Sequence, residues 1–193
     1  EYYLKHAQDD YKDFKVLAIF SASNVVISTA NKPVLTVDGF KGLKLRSPSR
    51  FAALFLTALG GTPVNMPIAQ VTEGISKGVI DGAMAPWEVL PATKIDEVTK
   101  YHMEGAANQP GFTQTPMAIL MNKAKYESLS PDLKAAIDKN SGQKLVELTG
   151  SVWDSGNVDA RKKMSAQGNK VLVIKPEDYN GMKKAAASVE ADW

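Results

Sequence analysis

Between residues 42 and 87 the chain alternates short apolar runs with amphipathic stretches. The order read from this pattern is strand, helix, strand, helix, strand. Residues 43–46 form the first predicted strand. Ser47 is a favourable N-cap and Pro48 suits a first helical position, so a helix is predicted to start there. Phe51, Leu54, Phe55 and Ala58 recur at i, i+3, i+4 and i+7 and give that helix one apolar face. Gly60 and Gly61 end it. Residues 62–66 read as the next strand. Pro67 opens a second helix with Ile68, Val71 and Ile75 on its apolar side, closed by Gly78, and residues 79–84 read as the third strand. A βαβαβ order predicts parallel strands joined by right-handed crossovers.

The same reading extends to both ends. Residues 1–12 resemble the tail of a helix, and residues 14–20 are a short apolar run expected to be a buried strand. Residues 25–29, rich in β-branched side chains, are predicted to be a second extended segment. Spacing leaves open whether these two segments form a hairpin or pass from one lobe to another. Residues 31–41 are a polar connector ending in the Asp38-Gly39 turn. Pro91 predicts a short or broken helix over residues 87–98. Residues 100–105 and 116–121 read as strands, with a loop at 108–112. From Ser130 and Pro131 a long helical region carries Leu133, Ile137, Val146, Leu148, Val152 and Trp153 on a rough stripe. Kinks are expected at Ser141-Gly142 and Ser155-Gly156. Residues 170–174 make a last strand, and Pro176 starts a terminal helix. The fold class is therefore α/β with parallel-rich sheets.

Composition narrows the function classes. The 193 residues include 23 basic and 21 acidic ones, a net charge of +2, and they are well interspersed. That distribution argues against a nucleic-acid surface. No apolar run reaches membrane-spanning length, and no signal peptide is visible. The chain begins at Glu1 rather than Met, so a processed or truncated product is expected. There is no cysteine, which excludes disulfides, thiol nucleophiles and Cys-based metal sites. His6 and His102 are the only histidines and have no ligand spacing. No GxSxG, HExxH, P-loop or GxGxxG pattern occurs, so neither a cofactor nor a catalytic constellation is indicated.

Binding chemistry has better candidates. Arg46 ends a predicted parallel strand, at the edge where open α/β sheets gather ligands, and the next residues begin a helix. Its planar guanidinium matches a carboxylate. A surface salt bridge is the competing reading. Arg50 lies one turn further and could add positive charge, although an ordinary exposed arginine without a special role is the favoured reading. Trp87 follows the third strand at the same edge, where its ring could stack on a flat ligand or its N–H donate to one. It could also simply fill core. Met84 and Ile68 would supply apolar wall, with Phe112 a further candidate from the loop before a strand. Asp81 and Glu88 read as solvated or capping acids.

The residues Gly42-Leu43-Lys44-Leu45-Arg46, Ala58-Leu59-Gly60-Gly61-Thr62-Pro63-Val64 with Met66-Pro67, and Ile75-Ser76-Lys77-Gly78-Val79-Ile80-Asp81-Gly82 form a recognisable series. Met121-Asn122-Lys123, Tyr126-Glu127-Ser128-Leu129 and Pro131-Asp132-Leu133 extend it. Through nearly its whole length the chain resembles the extracytoplasmic solute-binding proteins of tripartite ATP-independent periplasmic (TRAP) transporters, the DctP-like family. The resemblance implies a two-lobed periplasmic receptor that closes on a small organic acid and delivers it to a membrane permease. The family's carboxylate-binding arginine falls on Arg46, and its pocket aromatic falls on Trp87. A second arginine found in some members would fall near Val26, and an asparagine before the proline at 86 is here Ala85. Both departures imply a more apolar pocket, suited to a monocarboxylate, aromatic ones included, or a compact dicarboxylate. The expected division is residues 1–23 with 114–150 as the remainder of lobe one, and 24–113 with 151–193 as lobe two, lobe one being incomplete. Competing readings are a small-acid-sensing effector domain of a LysR-type regulator, and an α/β enzyme whose catalytic residues lie outside this sequence.

Overall fold

The computed structural model describes residues 2–22 and 24–191. The elements begin with α1 (Tyr2–His6), β1 (Phe14–Ser21), β2 (Val25–Thr29), β3 (Lys44–Ser47), α2 (Arg50–Ala58) and β4 (Thr62–Asn65). They continue with α3 (Val71–Ser76), β5 (Gly82–Pro86), α4 (Val89–Ala92), α5 (Ile95–Val98), β6 (Tyr101–Glu104) and β7 (Pro116–Asn122). Last come α6 (Lys123–Glu127), α7 (Pro131–Lys139), α8 (Gln143–Ala166), β8 (Lys170–Val173), α9 (Pro176–Ala185) and α10 (Ala187–Ala191). Residue contacts divide the chain into two units, Glu1–Ala22 with Pro116–Asp154, and Ser23–Thr115 with Ser155–Trp193.

In the first unit β1 and β7 pair antiparallel, from Phe14 opposite Asn122 to Ser21 opposite Pro116. The Lys15 ammonium meets Asp138 at 2.7 Å, and the Tyr126 hydroxyl donates to the same carboxylate. The Phe20 and Trp153 rings lie 6.0 Å apart. The apolar run at 14–20 is a strand, as expected, but only Ala18 within β1 is buried. Similarly, Leu133, Leu148 and Val152 of the helical stripe are exposed, the last two by 60% and 61%. A two-stranded sheet has too little surface to cover both. Ser141-Gly142 does break the helix, with Gly142 at φ +65°, whereas Ser155-Gly156 lies inside an uninterrupted α8.

The second unit is built on a six-stranded sheet of order β4-β3-β5-β2-β6-β8. β3 is parallel to β4 and to β5, giving the βαβαβ topology that the pattern predicted. β6 and β8 are parallel as well. β2 is antiparallel to both its neighbours, β5 and β6. Since β1 belongs to the other sheet, the hairpin reading of the two early strands is excluded.

Both faces of this sheet are covered, and alternation along the strands distributes the side chains between them. Val25, Ile27, Leu45, Met84 and Met103 face one layer, where α2 contributes Ala52, Phe55 and Leu56 and the last helices contribute Tyr179, Met182, Ala186 and Val189. Val26, Ala83, Ala85 and Trp87 face the other, against Val71, Ile75, Leu90, Ile95, Ala160 and Met164. Each fully buried large aliphatic side chain contributes roughly 1.5–3 kcal/mol.

Three details differ from the pattern reading. α2 starts at Arg50, and Ser49 rather than Ser47 is its cap, the Ser49 hydroxyl accepting from the Ala52 N–H at 3.2 Å. Ser47 is still held in the sheet opposite Asn65. The buried stripe of α2 is Ala52, Phe55 and Leu56, continued by Leu59, while Leu54 is exposed. Nearly every position of Phe51–Leu59 is apolar, so periodicity alone could not choose between two equivalent phases. The third strand begins at Gly82 rather than at 79. The Val79 and Ile80 amides both donate back to the Gly74 carbonyl, so these residues complete the turn after α3.

His102 is fully buried on the second face, its Nδ1 2.9 Å from the Ser28 hydroxyl. Its Nε2 has no hydrogen-bond partner among the described residues. Burial pushes its pKa down from 6.5 to about 4, partly opposed by the Asp96 carboxylate. Asp96 is itself buried and meets the Lys163 ammonium at 2.9 Å.

Two predictions come from this packing. A β-carbon at Gly82 would fall 2.1 Å from the Ser28 carbonyl oxygen, whereas one at Gly181 meets nothing within 4 Å. Gly82→Ala should therefore destabilise by about 3 kcal/mol or more and Gly181→Ala stabilise by about 0.5–1 kcal/mol, read as opposite shifts in urea midpoint. The unfolded His102 takes up a proton near pH 6.5 and the folded one only near 4. Stability from keeping it neutral is thus present above 6.5 and lost as pH falls towards 4, by up to about 3 kcal/mol. Imidazole NMR titration checks this, and a folded His102 that titrates near 6.5 would refute it.

Candidate functional site

All five parallel strands of the second unit end at one edge of the sheet, and the described polar groups of interest collect there. Arg46 is the third residue of the four-residue β3, opposite Val64 of β4 and Ala83 of β5. Since Leu45 points into the first core layer, Arg46 points to the second face. Its guanidinium is half-buried. Nε donates to the Met66 carbonyl at 3.2 Å and Nη1 to the Met84 carbonyl at 3.2 Å. A guanidinium carries five N–H donors, and these two bonds leave three. Among the described residues no carboxylate pairs with it. Burial lowers its pKa from the usual arginine value with no acid to oppose the shift, and arginine stays cationic regardless. The surface-salt-bridge reading of Arg46 does not hold in this structure.

Trp87 follows β5 at the same edge and is 1% exposed. Its indole N–H donates to Glu104 Oε2 at 3.0 Å. The other Glu104 oxygen pairs with Arg161 of α8, whose guanidinium carbon stands 5.6 Å from the Trp87 ring centre. The His102 ring lies 5.7 Å away. Ring and N–H are thus both engaged within the chain, so Trp87 shapes this edge from inside the fold. A cation over an indole adds about 0.5–2 kcal/mol.

The remaining candidates separate by face. Ile68 packs on the second cluster, with Trp87. Met84 lends its carbonyl to Arg46, while its side chain is buried on the opposite face together with Phe112. Arg50 is the first residue of α2 and is exposed. Asp81 accepts from the Lys44 amide at 2.8 Å, a capping role.

Two cavities lie in this unit. One, of about 190 Å³, is walled by Phe51, Phe55, Phe112 and Tyr179, with Lys183 beside them. The other, of about 220 Å³, opens between Asn24, Glu104, Gln109, Gly111, Arg161 and Val173, where β2 begins and β6 and β8 end. Glu104 and Arg161 were missed by sequence reasoning. Glu104 carried a usable signal, since it sits near the end of a predicted strand, as Arg46 does. Arg161 lies 57 residues further on, in mid-helix, and no spacing marks it.

The family model for bacterial extracellular solute-binding protein family 7, DctP, matches residues 3–193. The chain is 29% identical over 184 residues to the 2,3-diketo-L-gulonate-binding periplasmic protein YiaO of Escherichia coli (strain K12), covering 94% of this chain and 48% of that protein. Among solved structures, it is 41% identical, with a TM-score of 0.95, to a TRAP solute-binding protein from a marine metagenome specific for aromatic acid ligands, in complex with metahydroxyphenylacetate. It is 36% identical, also with a TM-score of 0.95, to a TRAP solute-binding protein from Rhodoferax ferrireducens T118 with copurified benzoate. In both cases all of this chain and 60% of the other are covered. The chain thus spans about half to three-fifths of the length of these relatives. Each of these relatives carries the name of a binding protein, and among the described residues no helix is long and apolar enough to cross a membrane. With its parallel-rich α/β sheet and an arginine at the carboxyl edge, the chain belongs to the DctP family of bacterial extracellular solute-binding proteins.

Proposed function

We propose that the protein captures a small organic acid in the periplasm, holds its carboxylate on Arg46, and delivers it to the membrane subunits of a TRAP-type permease. The observation that carries this reading is the state of Arg46. It is a half-buried cation, fixed by two backbone carbonyls, with donors left over and no carboxylate of its own among the described residues. A charge so placed is costly unless an anion completes it.

An aromatic or compact apolar monocarboxylate is the preferred ligand. Ala85 and Val26 stand where other members of the family offer polar groups, and both side chains are fully buried and apolar. The metagenome protein and the Rhodoferax protein bind aromatic acids at the identities given above. Ile68 and Trp87 shape the second face beside Arg46, and Arg50 adds positive charge at the start of α2. Met84 contributes its carbonyl, and Phe112 contributes through the loop that follows β6. Residues 1–23 with 114–150 belong to lobe one of such a receptor, and residues 24–113 with 151–193, which carry Arg46, to lobe two. The protein binds and releases its ligand without transforming it, and needs no cofactor.

Calorimetry on the intact protein with a panel of aromatic and aliphatic acids tests the central claim. Arg46→Ala should lose about 2–5 kcal/mol of binding to the preferred acid, a loss of roughly 30-fold or more in affinity. Arg46→Lys should recover part of it, because a point charge remains but the planar fork does not. Wild-type affinity in Arg46→Ala would overturn the assignment.

A further inference from the structure

Two arginines stand at the carboxyl edge of the sheet, and they differ in one respect. Arg46 is held by neutral carbonyls, whereas Arg161 is paired with Glu104. Both point to the same side. Met103 faces the first core layer, so Glu104 faces the second, and Arg161 follows Ala160, which packs on that second face. One chain segment links them, since the Arg46 guanidinium donates to the Met84 carbonyl and the Arg161 guanidinium lies over Trp87, three residues further along. Arg161 and Glu104 also line the 220 Å³ cavity.

We infer that Glu104 sets the charge class of the ligand: by occupying Arg161 it leaves Arg46, among the described residues, the one guanidinium without an acidic partner on the second face, so the site takes monoanions and rejects dianions. This rests on Arg46 being the carboxylate anchor. Glu104 acts in two ways. It removes the second guanidinium as an anion partner, and its own negative charge repels a second carboxylate brought close to it. Like charges placed against each other in a partly buried site are strongly unfavourable. The pair is built into the structure rather than resting on solvent. Glu104 is the more buried partner, and its second oxygen is committed to the Trp87 N–H at 3.0 Å. Arg161 is additionally held by the Trp87 ring. In this arrangement Trp87 links the charge pair to the segment that carries Met84, and so fixes how far Arg161 stands from Arg46.

Glu104→Gln tests the inference, because it removes the charge and keeps a carbonyl oxygen that can accept from the indole. The intact wild type, Glu104→Gln and the double variant Glu104→Gln/Arg161→Gln are titrated with benzoate, a monoanion, and isophthalate, the matching dianion, at neutral pH. The wild type should prefer benzoate. In Glu104→Gln the isophthalate-to-benzoate affinity ratio should rise by about tenfold or more, as a newly available charge pair would give. The rise should weaken with added salt. The double variant, with no second guanidinium released beside Arg46, should return towards the wild-type ratio. A merely structural role for Glu104 would weaken both acids together and leave the ratio alone. If the wild type binds benzoate through Arg46 and the ratio stays unchanged in Glu104→Gln, this inference fails and the Arg46 reading stands. If the wild type binds neither these nor any other organic acid, both fall.

Discussion

The second unit depends on one short strand. β2 lies between β5 and β6, antiparallel to each, and all five of its residues are buried. Because it reverses direction twice in the pairing, β5 and β6 point the same way although they belong to different parallel groups. Without β2 the β4-β3-β5 group and the β6-β8 group would have no common edge. The close approach of Gly82 to the Ser28 carbonyl shows how tightly that junction is drawn. Arg46, Trp87 and Glu104 come from three strands of the assembled sheet, and they share an edge only because β2 aligns those strands.

Charge at that edge is distributed unequally by design of the backbone. Carbonyl oxygens are partial charges and can hold a guanidinium in place without neutralising it, while a carboxylate does both. The two arginines therefore differ in availability. The acidic partner of Arg161 comes from the end of a strand and the neutral partners of Arg46 from the segment after β4 and from β5. Substituting side chains can alter the first arrangement far more easily than the second.

Much of this fold was legible in the sequence because glycine and proline punctuate it. Gly60, Gly78 and Gly142 all adopt positive φ where the pattern predicted helix ends or breaks. Arg46 and Trp87 could be placed at the carboxyl edge from strand order alone. The phase of α2 could not, since its residues are apolar on almost every side and only the Ser49 cap and the sheet below select Ala52, Phe55 and Leu56. Nor could the burial of Trp87 be read locally, because the groups that cover it come from β6 and α8, remote in sequence. The exposed Leu148 and Val152 illustrate a related limit: periodicity reports a face that could be buried, and coverage depends on what lies opposite.

The carbonyl anchoring of Arg46 has an energetic consequence. A free arginine side chain surrenders up to about 2 kcal/mol of rotamer entropy when it grips an anion. For Arg46 most of that ordering is completed during folding, when Met66 and Met84 take two of its donors. In the proposed role, a ligand carboxylate would meet a preorganised cation, and more of the attraction between the charges would be expressed as affinity. The same rigidity narrows the angles from which a carboxylate can approach, so tight holding and geometric selectivity arise from one pair of backbone contacts.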